Sequence, residues 1–459
     1  MTIRRCVNTI ILCSLGLLTG TGHGQIVFVD VDAVSGNNDG SSWADAYVSL
    51  QDALAGGQGT EVWVAAGTYA PAPPNGSQAL AFALRDNLGI YGGFSGTENA
   101  REQRDPVMHE TVLSGDLNGD DQPGWFNMQD NSDQVITANG VSETAILDGF
   151  TITSARVTSA SGAAVIVIDA SPIIRNCSIE NSISDFASGA GFLINGGSPL
   201  IDSCSITGNY CWLARGAGAY IMSFSTPTFV HCSFSYNQVY GGGASVADGA
   251  AVFIEFDAPA VFDHCSFSNN TADPNYPLYS NGGAICSLAD GLTILHCDFV
   301  GNTADIGGAL WLGRPARIEN TRFTGNSAIT GGAITNFIAN PTTIVGCSFV
   351  FNDGQDGGAV SNSTNGVVNF SNSVLWGNTG VGDNRFKEQV HNNSATTEFS
   401  YCCIEGVFDQ IQGEDPPNPK GFPGCTDLDP LFVDADGADN RGGTADDDSR
   451  LRQCVTVRF

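Results

Sequence analysis

The chain has 459 residues, and only 14% of them are charged, about half the usual share. Acids outnumber bases 48 to 18, a formal net charge of −30, so the surface repels phosphate backbones and a nucleic-acid partner is not expected. The 57 glycines and 42% hydrophobic content argue against a helical architecture, and low charge with this hydrophobicity argues against disorder.

The chain opens with Arg4 and Arg5, then a mostly apolar run from Val7 to Leu18 that is too short to span a membrane. Small residues at Gly22 and Gly24 predict a signal peptide over 1–24, cleaved before Gln25. The mature chain would be exported and would keep 12 of the 14 cysteines in a compartment that permits disulfides. No other stretch reaches membrane length.

Ser41-Ser42 ahead of Trp43–Leu54 predicts an N-capped amphipathic helix within a cap over 25–59. Early strands are predicted at Val62–Ala65, Leu88–Tyr91 and Thr111–Leu113. A repeat then dominates, with an apolar residue at i, a small residue or Cys at i+3, and an apolar residue at i+5. It begins at Leu147, where Phe150 is an exception at i+3, and recurs at Ile174, Ile201, Phe229, Phe262, Ile294, Ile318, Ile344, Phe370 and Phe399. Successive starts lie 27, 27, 28, 33, 32, 24, 26, 26 and 29 residues apart.

Parity within the repeat fixes its geometry. Positions i+3 and i+5 share a strand face, and i does not share it. All three are apolar or small and should point inward, so the chain must turn a corner between i and i+3. Position i+8 is Asn in seven repeats: Asn209, Asn237, Asn270, Asn302, Asn326, Asn352 and Asn378. A Gly-Gly-Ala-aliphatic segment follows, clearest at 282–285, 307–310, 331–334 and 357–360. Each repeat reads as strand, corner, strand, Asn turn, loop and small-residue strand. Stacked, these make an all-β, three-sheet solenoid over 60–407, about twelve coils and roughly 58 Å long at about 4.8 Å per coil. Beyond 408 the composition turns to Pro, Gly and Asp, which predicts a loose acidic tail over 408–459.

These repeats resemble the right-handed parallel β-helix proteins of the pectin-lyase-like class. The GGAI and F-x-x-N pairs resemble the repeats of chlamydial polymorphic membrane proteins. Gly40–Tyr47, Trp63–Tyr69, Ser114–Asp120 and Asp429–Asp436 resemble exported bacterial β-helix proteins of unassigned activity. The resemblance implies a secreted or cell-surface location, with outer-membrane association as one form of it. It does not imply a particular chemistry.

Pectin-lyase-like folds often cleave polysaccharides, and the resemblance directs attention to their motifs. Polygalacturonases carry three aspartates, a G-H-G segment and R-x-K. Here Arg385-Phe386-Lys387 is a lone match, and His23-Gly24 falls in the leader. Arg314-Pro-Ala-Arg317 departs from the arginine motif of pectate lyases. The expected function is therefore a non-catalytic adhesive, structural or glycan-binding protein, with a polysaccharide lyase or glycoside hydrolase as the alternative. The expected partner is a polysaccharide or cell-surface glycan.

Four groups of residues are candidates for sites. The repeat spacing widens at two steps, and the extra residues fall after Asn237 and after Asn270. Those insertions and the preceding coil place Tyr210, Trp212, Tyr240, Tyr276 and Tyr279 at one edge, where rings could stack on sugars and Asp248 and Asp273 could accept hydroxyls. The competing expectation is that these rings only seal the loops. Acidic turns at Asp434, Asp436 and Asp439 and at Asp116, Asn118 and Asp120 space oxygen ligands for calcium, although neither completes an EF-hand. Seven cysteines, 177, 204, 232, 265, 297, 347 and 402, share position i+3 and read as small buried thiols. A disulfide among Cys211, Cys286, Cys403, Cys425 and Cys454 stays open. Position i+2 holds Asn176, Ser203, His231, His264, His296, Asn320, Gly346 and Asn372. The three successive histidines read as a polar corner stack or as a surface metal site, and the lack of an acid at the same position favours the stack.

Overall fold

The structure, a computed structural model, describes residues 25–451 except 58, 159–162, 242–246, 274–278, 338–340, 364, 382–384, 408–421 and 435–447. The expected leader and most of the expected tail lie outside these residues.

Three long parallel sheets run the length of the molecule. The first has 13 strands, from Ile26–Val29 to Thr396–Ser400. The second has 12, from Gly67–Tyr69 to Cys403–Ile404, and so sets about twelve coils. The third has 11, from Phe82–Ala83 to Val390–Asn393. Register keeps each repeat position on itself: Ile174 pairs with Ile201, Ile201 with Phe229, and Phe229 with Phe262.

The inferred corner is set by backbone conformation. Residue i+2 adopts a left-handed φ in coil after coil, as at Asn176 (51°), His264 (53°) and Asn320 (49°). That single left-handed residue turns i and i+3 both inward. The inward i+5 residues stack as flat rings, with Phe234–Phe267 4.8 Å apart, Phe267–Phe299 4.5 Å and Phe299–Phe323 4.9 Å. The Gly-Gly-Ala segment is equally constrained. Gly307 has φ 68°, and a Cβ on Gly308 would lie 2.2 Å from the Gly332 carbonyl oxygen of the next coil.

All seven ladder cysteines are buried free thiols. Cys204 Sγ, for example, donates to the Asp202 carbonyl at 3.4 Å. Cys211, Cys286, Cys403 and Cys425 are also free, and Cys454 lies outside the described residues.

Four expectations need correction. The cap helix covers only Leu50–Ala55, and its N-cap is Ser49, whose hydroxyl accepts from Asp52 N at 3.2 Å. Trp43 is not helical. Its ring packs edge-on against Phe28 at 4.8 Å, and its Nε1 donates to the Glu98 carbonyl. Leu50 and Ala53 do close the end of the core as expected of a cap. The solenoid begins earlier than residue 60, because Ile26–Val29 already pairs with Glu61–Ala65. Part of the tail is ordered against the other end: Phe422 stacks on Phe399 at 5.8 Å, and Thr426 N donates to the Cys402 carbonyl at 2.9 Å.

The fourth correction positions the candidate site. The segment after the Asn turn is not a loop in the early coils. Arg156–Val157, Ile183–Ser184, Tyr210–Trp212, Gln238–Tyr240 and Thr271–Ala272 form a fourth, five-stranded parallel sheet. Its inward residues Cys211, Val239 and Ala272 join Ala304 in a small separate core. Among the described residues, the helices are confined to short segments, and none is long and apolar enough to cross a membrane.

Candidate glycan-binding ledge

Alternation along the fourth sheet decides what its outer face carries. Cys211 and Val239 point inward, so Tyr210, Trp212 and Tyr240 point outward. Trp212 and Tyr240 are register partners on adjacent coils, with ring centroids 4.8 Å apart and planes tilted by 36°. Trp212 keeps 44% of its surface exposed. Tyr210 meets Trp125, which sequence reasoning missed, at 6.0 Å. Trp125 belongs to an irregular turn 85 residues upstream in sequence, and no repeat spacing leads to it. Four rings thus form a ledge across neighbouring coils.

Carboxylates border the ledge. Asp273 continues the sheet edge, its N donating to the Val239 carbonyl at 2.9 Å. Asp185 pairs with Arg156 at 3.1 Å. Burial pushes the Tyr210 phenol up to about 12, and Tyr240, Asp273, Cys211 and Asp185 reinforce the shift, so it stays a neutral donor. Tyr279 is 65% exposed in the second insertion. Tyr276 lies outside the described residues.

Asp248 is not part of this surface. It is buried, its Oδ2 lies 3.1 Å from Arg215 Nε, and its Oδ1 accepts from Asn281 Nδ2 at 2.8 Å. Its carboxylate holds the turn into the third sheet from a buried position.

Beside Trp125 lies a cleft of about 270 Å³ lined by Asp121, Met128, Thr153, Ser154 and Asn181. Burial holds the Asp121 carboxyl above its usual range, against hydrogen bonds from Asn131 and Ser154. The neighbouring acidic turn brings Asp116 and Asp120 within 4.8 Å of Asp130. Asp130 lies on a short 3-10 turn, Met128–Asp130, and the sequence spacing did not reveal it. Asn118 Oδ1 accepts from Asn75 N at 3.0 Å, and its backbone N donates to Asp130 Oδ2 at 2.9 Å. Of the second acidic turn, Asp434 ends the strand Phe432–Asp434, while Asp436 and Asp439 lie outside the described residues.

Arg385 and Lys387 lie on the short helix Arg385–Gln389, where Arg385 pairs with Glu405 at 3.2 Å. Arg317 pairs with Glu319 at 2.8 Å.

Residues 127–279 match the family model described as the right handed beta helix region. No curated protein matches the chain. Among solved structures, pectate lyase Pel9A is similar at 15% identity over 94% of this chain and 90% of its own, with a TM-score of 0.47. Pectin methylesterase PemA from Erwinia chrysanthemi is 11% identical over 80% of this chain and 92% of its own, with a TM-score of 0.30. The catalytic unit of a GH87 α-1,3-glucanase from Streptomyces thermodiastaticus strain HF3-3 is 13% identical over 76% of this chain and 65% of its own, with a TM-score of 0.31. The matched region, with the same parallel stacking continuing on both sides of it, makes this chain a right-handed parallel β-helix.

Proposed function

We propose that this chain is an exported or cell-surface β-helix that binds glycan on the ledge of Trp125, Tyr210, Trp212 and Tyr240. The observation that carries the reading is the Trp212–Tyr240 pair, two register-matched rings held 4.8 Å apart on a hydrogen-bonded sheet with Trp212 exposed. Rings fixed this way offer apolar area to a sugar face at little entropic cost, and nearby carboxylates can accept its hydroxyls. The charge of −30 favours neutral polysaccharides over polyuronates. Arg4, Arg5 and the apolar run over 7–18 support export.

A second reading, glycoside hydrolysis, is favoured by one feature. Asp121 is a carboxyl held toward its protonated form in a cleft adjoining the ledge, as a general acid requires. One experiment tests both. The chain is incubated with neutral and uronate polysaccharides, with and without calcium, and retained polymer and new chain ends are measured. Retention of neutral polymer without new ends supports binding alone. New reducing ends that vanish in Asp121→Asn support hydrolysis. No retention and no products would remove both.

A further inference from the structure

Outside the ledge, an imidazole stack lies at the corner between the first and second sheets. His231, His264 and His296 occupy the same corner position in three successive coils. Their rings are stepped, 5.4 Å between His231 and His264 and 4.6 Å between His264 and His296, the latter pair nearly parallel at 23°. The acid that sequence reasoning found missing is one residue earlier, where the strand's last side chain points outward. Asp263 Oδ1 lies 2.8 Å from His264 Nδ1 and 3.0 Å from His296 Nδ1. Two imidazole nitrogens and one carboxylate oxygen therefore converge, all within 4.8 Å of one another, with both rings exposed to solvent.

We propose that Asp263, His264 and His296 bind a divalent transition-metal ion of the zinc class. Two imidazoles with one carboxylate suit zinc, cobalt, nickel or copper, whereas calcium and magnesium prefer all-oxygen shells. Ligand atoms around a tetrahedral ion at bonds of about 2.0–2.2 Å sit roughly 3.3–3.5 Å apart, so the two Asp263–imidazole distances need to lengthen by only ~0.5 Å. Water completes the shell from the open side.

The metal must also displace protons from the Nδ1 atoms. Asn320 Nδ2 lies 3.3 Å from His296 Nε2, which places the His296 proton on Nδ1, toward Asp263. Metal binding at Nδ1 moves that proton to Nε2 and leaves the imidazole neutral. Asn320 can then turn its amide and accept from Nε2–H, the outer-sphere bond that ligating histidines usually make. His231 faces Asp202 instead, at 3.5 Å, and stands outside the set.

The corner itself supplies a safe substitution. Asn occupies this left-handed position at Asn176, Asn320 and Asn372, so His264→Asn and His296→Asn remove the imidazole and keep the turn. The test is calorimetric titration of the full chain with Zn2+, with Co2+ absorption as a second readout and Ca2+ for comparison. The expected result is one Zn2+ per chain and no competition from Ca2+. Affinity should weaken by at least about tenfold in His264→Asn, His296→Asn and Asp263→Asn, since even outer-sphere losses cost that much. His231→Asn should bind as the parent does. Failure to saturate by about 1 mM Zn2+, a weak-contact affinity, would overturn the proposal. So would uptake that persists in the double variant His264→Asn/His296→Asn with a thiolate-to-cobalt band, which would assign the ion to cysteines.

Discussion

Asn302 donates its side-chain amide to Asn326 Oδ1 at 2.9 Å, and the same oxygen accepts the Asn302 backbone N–H at 3.0 Å. The second amide hydrogen goes to the Phe267 carbonyl at 2.9 Å. This pattern recurs from Asn209 to Asn378, fully buried, so each side chain satisfies the backbone of a turn that has no ladder partner. Asn302→Ala takes away the Oδ1 that accepts both the Asn270 backbone N–H and its side-chain amide, leaving these donors unpaired in the interior. It should cost on the order of 1–3 kcal/mol in chemical unfolding. An unchanged unfolding midpoint would show that water replaces the side chain.

The ladder is closed by Gln389, fully buried, which accepts from Asn378 Nδ2 at 2.7 Å and donates to the Asn378 carbonyl at 3.2 Å. Gln389→Ala should destabilise the last coils first. Amide exchange around Asn378 and Phe399 should quicken, while exchange around Asn209 stays as in the parent.

How much of this was legible differs by residue. The i, i+3, i+5 template and the seven asparagines revealed the sheets, the corner and the ladder, because a solenoid repeats one physical problem in every coil. Trp125, Asp130 and Gln389 were not legible, because each reaches its partners from a segment outside the repeat, with no period to extrapolate. Asp263 was missed for a narrower reason. The acid was sought at the corner position itself, and the left-handed turn brings the preceding outward side chain onto that column. The burial of Asp248 was not legible either, because its insertion reads as open loop, while Arg215 and Asn281 meet it from flanking coils.

Asp148 ties the early coils together. Its Oδ1 accepts from Arg104 Nη2 at 2.6 Å and Asn176 Nδ2 at 2.9 Å, and its Oδ2 lies 2.7 Å from Arg175 Nε. Burial acts to raise this carboxyl, but Arg104, Asn176 and Arg175 outweigh it and hold it below its usual range. A depressed carboxyl stabilises the fold fully above the unfolded value of about 3.9 and stops doing so as pH falls through the lower folded value. Asp148→Asn should therefore cost about 2–4 kcal/mol at pH 7, less than a fully buried pair because Arg175 is 38% exposed. The gap between variant and parent should close in acid, below the folded value. An equal gap at pH 7 and in strong acid would refute the linkage.

Calcium should leave the first acidic turn unmoved. Asp116 Oδ1 already accepts from Gly119 N at 2.7 Å and Asp120 N at 3.3 Å, and Oδ2 accepts from Asp121 N at 3.0 Å. The turn is closed by its own backbone, so melting curves with calcium and with chelator should coincide. A rise in Tm with calcium that disappears in Asp130→Asn would show instead that the three carboxylates hold the ion.

The ledge makes the most discriminating prediction, because sealing and binding diverge there. If Trp212 and Tyr240 only cover the small core of Cys211, Val239 and Ala272, truncating them exposes that core and lowers Tm. But the inward residues are already buried by the sheet and by Ala190, Ala214 and Ala250 of the same cluster, and Trp212 spends 44% of its surface in solvent. Trp212→Ala and Tyr240→Ala should therefore keep Tm within a few degrees of the parent. Each ring lost should weaken binding of neutral polysaccharide by roughly two- to tenfold, the worth of about 0.5–1.5 kcal/mol of aromatic contact. The double variant should lose more than either single change, and Tyr279→Ala, measured alongside, reports whether the second insertion contributes. Lower Tm with undiminished polysaccharide retention would assign these rings to packing.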